Sequence, residues 1–309
     1  MTPTARAVRF DHYGGREVLS VVDIPMPIAS AGRVVVEVRA AGINPGEATI
    51  RQGLLDDQFP ATFPSGQGTD LAGVVTEVGE GAGPWVVGDE VLGFSWERSS
   101  QASHVAVPAD QLISKPPALS WEVAGSLAVV GCTAYAAVRA VAAGPGETVA
   151  VSAAAGGVGC IVVQLLRVHG ARALGIASPS NAEWLAAHGA VPVAYGEGLV
   201  GRLAEEAPAG IDAFIDLFGP EYVELAAELG IRPERIETII SWEKAAAIGA
   251  KTDGSGTAST PEVLTEMADL VASGSIEVPI AATYPLERVV EAFEQLEQRH
   301  TRGKIVLIP

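Results

Sequence analysis

From Thr148 onward the chain alternates short apolar runs with stretches of helical spacing, and no other feature narrows its possible folds as much. The runs TVAVSA (148–153), RALGIA (172–177), VPVAY (191–195), IDAFIDLF (211–218) and RIETIIS (235–241) read as strands. Between them, 158–169, 181–188, 198–207 and 221–229 carry the apolar periodicity of helices. Parallel strands need long crossovers and have both faces covered, so the pattern predicts an α/β region built on a doubly wound parallel sheet. Beyond it, KTDGSGTAST (251–260) reads as a flexible loop, followed by a helix over 261–273, a strand over 276–285, a helix over 286–299 and a last strand over 303–309.

The first half has a different texture. Short β-like runs at 33–43, 71–79, 89–95 and 102–108 sit between glycine and proline turns, which predicts a β-rich barrel or sandwich. At Ser120 the segment SWEVAGSLAVVGCTAYAAVRAV begins, where the serine can cap a helix leading into a second domain. A chain of 309 residues, 48% of them hydrophobic, can bury the two cores this division needs.

Charge and cysteine content exclude several classes of function. Thirty-seven acidic against 20 basic residues give a net charge of −17, which repels a phosphate backbone and argues against a nucleic-acid partner. The 2 cysteines, Cys132 and Cys160, rule out a disulfide framework and have no zinc-site spacing. The first 25 residues are broken by charges and glycines, unlike a signal peptide, and no apolar stretch reaches the length of a membrane span. A soluble, cytoplasmic protein is expected.

The turn SAAAGGVGC (152–160) joins the first strand of the alternating half to its helix. Ala155, Gly156, Gly157, Val158 and Gly159 leave backbone N–H groups open to close approach, with the helix N-terminus behind them. That is a cradle for a diphosphate, although Ala154 stands where the usual fingerprint has its first glycine. The alternative is a tight strand–helix crossing without a ligand.

An acidic residue at the end of the second strand would bind the ribose 2′-hydroxyl of NAD. Here the chain reads GIASPSN, with Ser178, Ser180 and Asn181 and no carboxylate before Glu183. Small polar groups accept a 2′-phosphate that an acid repels, so NADPH is favoured. Ser178 is also a candidate N-cap of the following helix.

These motifs, together with AAGINPGEATIRQG (40–53), GTDLAGVVTEVG (68–79), VGDEV (87–91), VGCTAYAAV (130–138) and RGKIVL (302–307), resemble the zinc-free medium-chain quinone oxidoreductases, the zeta-crystallin-like group. The likeness spans nearly the whole chain. It implies a GroES-like catalytic domain from 1–119 and 275–309, a Rossmann domain from 120–274, and a homodimer formed by extending the Rossmann sheets. It also implies NADPH-dependent reduction of quinones or other α,β-unsaturated carbonyls. Zinc-dependent relatives of that architecture carry a cysteine after the Gly-Ile pair and a histidine in a Gly-His-Glu; this chain has Asn44 and the sequence Gly68-Thr69-Asp70 there, so no metal site is expected.

The resemblance also implies roles for single residues. Asn44 would lie beside the nicotinamide and donate to the developing oxyanion, Thr133 would sit at the nicotinamide end, and Tyr195 would lie against the 2′-phosphate. An Asn-Pro turn, a helix-interior threonine and a packed strand-end aromatic are their plain alternatives. Phe218 with Gly219, and Ile240 with Ser241, close the fourth and fifth strands at the carboxyl ends where such sheets bind ligands. Arg302 and Lys304 resemble the C-terminal segment that returns to the cofactor cleft, or else form a solvated basic turn.

The likeness has departures. Thr49 replaces a tyrosine common in these reductases, and GIRPERIETII (230–240) replaces a glycine-rich loop. An enoyl-thioester reductase on the same scaffold would need a cationic path, whereas Arg51, Arg98 and Lys251 are scattered along the chain. A non-catalytic NADPH-binding protein is the remaining alternative. No tyrosine is followed four residues later by lysine, which excludes the short-chain dehydrogenase pair.

Overall fold

The computed structural model describes residues 3–309 and divides into two compact units. One comprises the chain up to Val129, Thr260–Ala272 and Ile280–Pro309; the other comprises Val130–Ser259 and Ser273–Pro279.

In the second unit, five parallel strands form one sheet. In chain order they are Thr148–Val151, Arg172–Ala177, Ala190–Ala194, Ala213–Asp216 and Ile236–Thr238, and their order across the sheet is third, second, first, fourth, fifth. The helices Gly157–Val168, Ala182–Ala187, Leu199–Glu206 and Pro220–Glu228 connect them, as the alternation predicts. Ala150, Leu174, Ile176, Val193, Phe214 and Ile236 form an apolar core with the helices on one side. The order reverses at the first strand, so a switch point opens between the carboxyl ends of the first and fourth strands.

The first unit is β-rich. Arg33–Gly42 is its central strand, pairing antiparallel with Asp70–Val78, with His104–Pro108 and with the C-terminal Lys304–Ile308. Its core joins both ends of the chain: Val8 and Phe10 pack with Ile43, Leu286, Phe293, Ile305 and Leu307. Complete burial of Phe293 stabilises the fold by about 1.5–3 kcal/mol.

Four local readings change. The supposed flexible loop at 251–260 contains a short helix, Ser255–Ala258, and Lys251 bridges to Glu237 at the sheet edge. The helix beginning after Ser120 ends at Ala124 and resumes at Ala128, because Gly125 presses against Ala40, where a Cβ would lie 2.4 Å from the carbonyl oxygen. The Asn-Pro alternative at 44–45 opens a helix, Pro45–Arg51. Finally, Ser20–Pro25 pairs with Thr4–Phe10 although neither run stood out. Ser20–Pro25 buries none of its residues fully, so it carries no apolar alternation to read.

Candidate functional site

The glycine turn lies at the switch point of the five-stranded sheet. Ala153 takes the left-handed backbone conformation with φ 46°, and Gly156 is the N-cap of Gly157–Val168 with φ −73° and ψ 178°. At Gly159 a Cβ would come 2.2 Å from the Ala153 carbonyl oxygen, so this glycine allows the helix to approach the strand closely. At Gly156 a Cβ would meet only that same oxygen, at 3.2 Å, and would otherwise fill open space before the turn. The amides of Gly157, Val158 and Gly159 form the first turn of the helix and have no carbonyl one turn earlier to bond. The turn therefore fits a diphosphate, which would meet backbone N–H groups and the positive end of a 12-residue helix. Ala155 is buried behind it, and Cys160 Sγ lies 3.1 Å from its carbonyl.

At the end of the second strand, Ser178 Oγ is 2.8 Å from Ser180 Oγ and accepts from Asn181 Nδ2 at 2.9 Å. Ser178 precedes the helical turn at 179–181 without bonding a backbone amide, so its hydroxyl serves this polar trio rather than a cap. Tyr195, 48% exposed, immediately follows the third strand. Its carbonyl accepts from Arg202, whose guanidinium also bonds the carbonyls of Ala194, Gly196 and Glu197. Sequence reading found no cation in the Ser178 turn; Arg202 comes to the neighbouring loop from a later helix.

Phe218 and Ile240 stand exposed at the carboxyl ends of the fourth and fifth strands, while Gly219 and Ser241 are buried beside them. Thr133 is buried in the helix Ala128–Ala140. Arg302 is exposed.

In the first unit a polar cluster surrounds Asn44. The segment Asn44-Pro45-Gly46-Glu47 starts a helix with proline in its first turn, and Glu47 reaches back to the Asn44 N–H at 3.2 Å. Asn44 Nδ2 donates to Asp70 Oδ2 at 3.0 Å and to Glu47 Oε1 at 3.3 Å. Lys304 Nζ donates to Asn44 Oδ1 at 2.5 Å, to the Ile43 carbonyl at 2.9 Å and to Asp70 Oδ2 at 3.4 Å. Glu47 also accepts from Thr69 N and Gln101 Nε2, and Asp70 Oδ1 from Val129 N. All four central residues are at most 7% exposed. Burial, then the charge of Asp70, push the Glu47 carboxyl up to about 7, with Lys304 and the Asn44 bonds opposing them.

This arrangement brings Asn44 and Lys304 together, which the sequence reading had assigned to separate roles. It also adds Glu47 and Asp70, which that reading missed. Glu47 was legible, since Asn-Pro-x-Glu is a helix-start pattern. Of the scattered cations, Arg51 is fully buried over the Phe293 ring and paired with Glu297, so it offers no path to a substrate arm. Among the described residues, no group of three or more His, Cys, Asp and Glu is placed to hold a metal ion.

Two family models match the chain: Alcohol dehydrogenase GroES-like domain over residues 30–117 and Zinc-binding dehydrogenase over residues 189–307. Quinone oxidoreductase 1 of Escherichia coli (strain K12) is 31% identical over 329 residues, covering 99% of this chain and 100% of its own. Among solved structures, the quinone oxidoreductase from Coxiella burnetii is similar with a TM-score of 0.86 at 28% identity, covering 99% of this chain and 100% of that one. The Escherichia coli quinone oxidoreductase complexed with NADPH is similar with a TM-score of 0.81 at 27% identity, covering 98% and 100%.

Proposed function

The chain belongs to the quinone oxidoreductase-like medium-chain dehydrogenases/reductases, and from that premise we propose that it reduces quinones or other α,β-unsaturated carbonyls with NADPH and without a metal. The observation that carries this reading is the ammonium of Lys304, held by Asn44, Ile43 and Asp70. The chain itself supplies the cation of its buried acidic cluster, and Asn44 and Thr69 are poor zinc donors where the zinc-dependent pattern has cysteine and histidine. Without a Lewis acid or a side-chain proton donor at its oxygen, an isolated carbonyl is hard to reduce. A conjugated acceptor delocalises the incoming charge and needs only orientation, a dry site and a hydrogen-bond donor.

NADPH, when bound, supplies the hydride. The amides after Gly156 hold its diphosphate, and the Ser178–Ser180–Asn181 trio with Tyr195 receives the 2′-phosphate, which no carboxylate of that turn opposes. Phe218, Gly219, Ile240 and Ser241 shape the nicotinamide half, with Thr133 at its end. Arg302, exposed beside Lys304, is the basic residue free to meet the cofactor. Asn44 donates to the substrate oxygen through Nδ2, with the substrate displacing Glu47 from the longer of its two bonds, at 3.3 Å. Lys304 fixes the amide orientation through Oδ1.

The test is steady-state NADPH oxidation with quinones, enones, enoyl thioesters and saturated ketones, with and without chelator, on protein of known zinc content. Turnover of quinones or enones unaffected by chelator is expected. Activity confined to saturated ketones and abolished by chelator would overturn the reading, and NADPH binding without turnover of any acceptor would favour a non-catalytic protein. Ser178→Asp should erase a preference for NADPH over NADH of at least about tenfold.

A further inference from the structure

We propose that Asp216 is the positioning residue of the dinucleotide site, tying the diphosphate turn to the two loops that shape the nicotinamide half; this rests on the functional reading above. Asp216 ends the fourth strand, is fully buried and accepts five hydrogen bonds. Its Oδ1 takes Ser152 Oγ at 2.8 Å, Phe218 N at 2.9 Å and Gly219 N at 3.1 Å. Its Oδ2 takes Thr238 Oγ1 at 2.8 Å and Ser241 Oγ at 3.2 Å.

The partners come from three neighbouring strand ends. Ser152 follows the first strand, opens the glycine turn and accepts from Leu217 N at 2.8 Å. The Ser152–Asp216 bond therefore spans the switch point itself. Thr238 ends the fifth strand, and its hydroxyl accepts from Ile240 N at 3.3 Å and Ser241 N at 3.0 Å. Phe218–Gly219 and Ile240–Ser241 thus take their backbone course from one carboxylate. Gly219 and Ser241 are the N-caps of the helices Pro220–Glu228 and Trp242–Ile248, whose positive ends face the same group.

A buried aspartate whose every bond is to a rim residue sets where that rim stands. Replacing it leaves the glycine turn its own backbone geometry but releases both loops. Affinity for the nicotinamide half should fall while the adenosine half still binds.

The experiment compares Asp216→Asn and Thr238→Val with the unmutated protein. Calorimetry is run with NADPH and with adenosine 2′,5′-bisphosphate, and amide hydrogen exchange is measured without ligand. Asn keeps one accepting oxygen and cannot satisfy the other side, whereas Val removes only the Thr238 hydroxyl. Asp216→Asn should weaken NADPH by about tenfold or more and the bisphosphate by less than about threefold. Thr238→Val should give the same asymmetry at roughly half the logarithmic size. Exchange should accelerate at residues 217–219 and 239–241 but not along Gly157–Val168. Equal weakening of both ligands, or unchanged exchange at those loops, would overturn the assignment. If Asp216→Asn does not fold, Thr238→Val alone decides by the same criteria. Failure of the unmutated protein to bind either ligand would instead sink the dinucleotide reading, and the exchange pattern would still report whether Asp216 holds the rim.

Discussion

The two units bury carboxylates by different means. Around Asn44, two carboxylates are packed with one ammonium, and Lys304 lies 260 residues from Asn44 in the chain. At the sheet rim, Asp216 is buried among hydroxyl and amide donors, the farthest 64 residues away. The first solution depends on a counter-charge and fails badly without it. The second spreads the cost of desolvation over five uncharged donors and is tolerant of losing one. The second unit also holds Glu237, fully buried on the edge strand with neither carboxylate oxygen in good hydrogen-bond geometry. Burial pushes its carboxyl up to about 8, with the Asp253 amide and Lys251 partly opposing.

The largest expected effect comes from removing the counter-charge. Lys304→Met should destabilise the protein by about 3–5 kcal/mol in urea unfolding at pH 8, because two buried carboxylates then face each other unpaired. The loss should shrink at pH 5, where protonating Glu47 relieves the repulsion. A loss that does not vary with pH would mean that Lys304 acts by packing alone.

Next is Glu237, whose folded-state carboxyl lies above its unfolded value of about 4.5. The folded state holds that proton more tightly, so this group's contribution to stability is fully present below about pH 4.5 and is lost as pH rises toward about 8. Glu237→Gln should abolish this slope and stabilise the protein by about 2 kcal/mol at pH 9. Unfolding curves at pH 5, 7 and 9 check the sign, and a less stable variant at pH 9 would show that the carboxylate has a partner after all.

Thr238→Val probes the neutral network. Losing this hydroxyl removes one of the five bonds to Asp216 and the acceptor of Ile240 N and Ser241 N, and should cost about 1–2 kcal/mol. A cost as large as that of Lys304→Met would erase the distinction between the two units.

The smallest effect is at Ala153, which carries a left-handed φ of 46° in the glycine turn. Ala153→Gly relieves that strain at the expense of unfolded-state entropy, and a net gain of about 0.5 kcal/mol is expected from thermal melts.

The parallel sheet was legible because its information is local. Each strand is an apolar run and each crossover a helical one, and Arg172–Ala177 matches its predicted bounds residue for residue. The glycine turn was equally plain, since Gly159 is required by close backbone approach rather than by distant side chains. Ser20–Pro25 was lost because a strand that buries no residue has no pattern, and the short Ser255–Ala258 helix because glycine and serine there favour a loop.

The chain's own sequence thus determined the sheet, the glycine turn and the absence of an acid after the second strand, which are matters of periodicity, steric bulk and residue type. Tertiary structure alone decided which partners Asn44, Lys304 and Asp216 have. Asn44 could be read as a turn residue or a donor, Lys304 as a solvated base or a cofactor contact, and Asp216 as no more than a strand end. Their meaning lies in partners brought close by sheet pairing: Lys304 stands beside Asn44 because the last strand pairs with Arg33–Gly42. Asp216 meets Ser152 and Thr238 because the fourth strand lies between the first and the fifth. A buried polar group must find its hydrogen bonds inside the protein, and the fold determines which distant residues provide them.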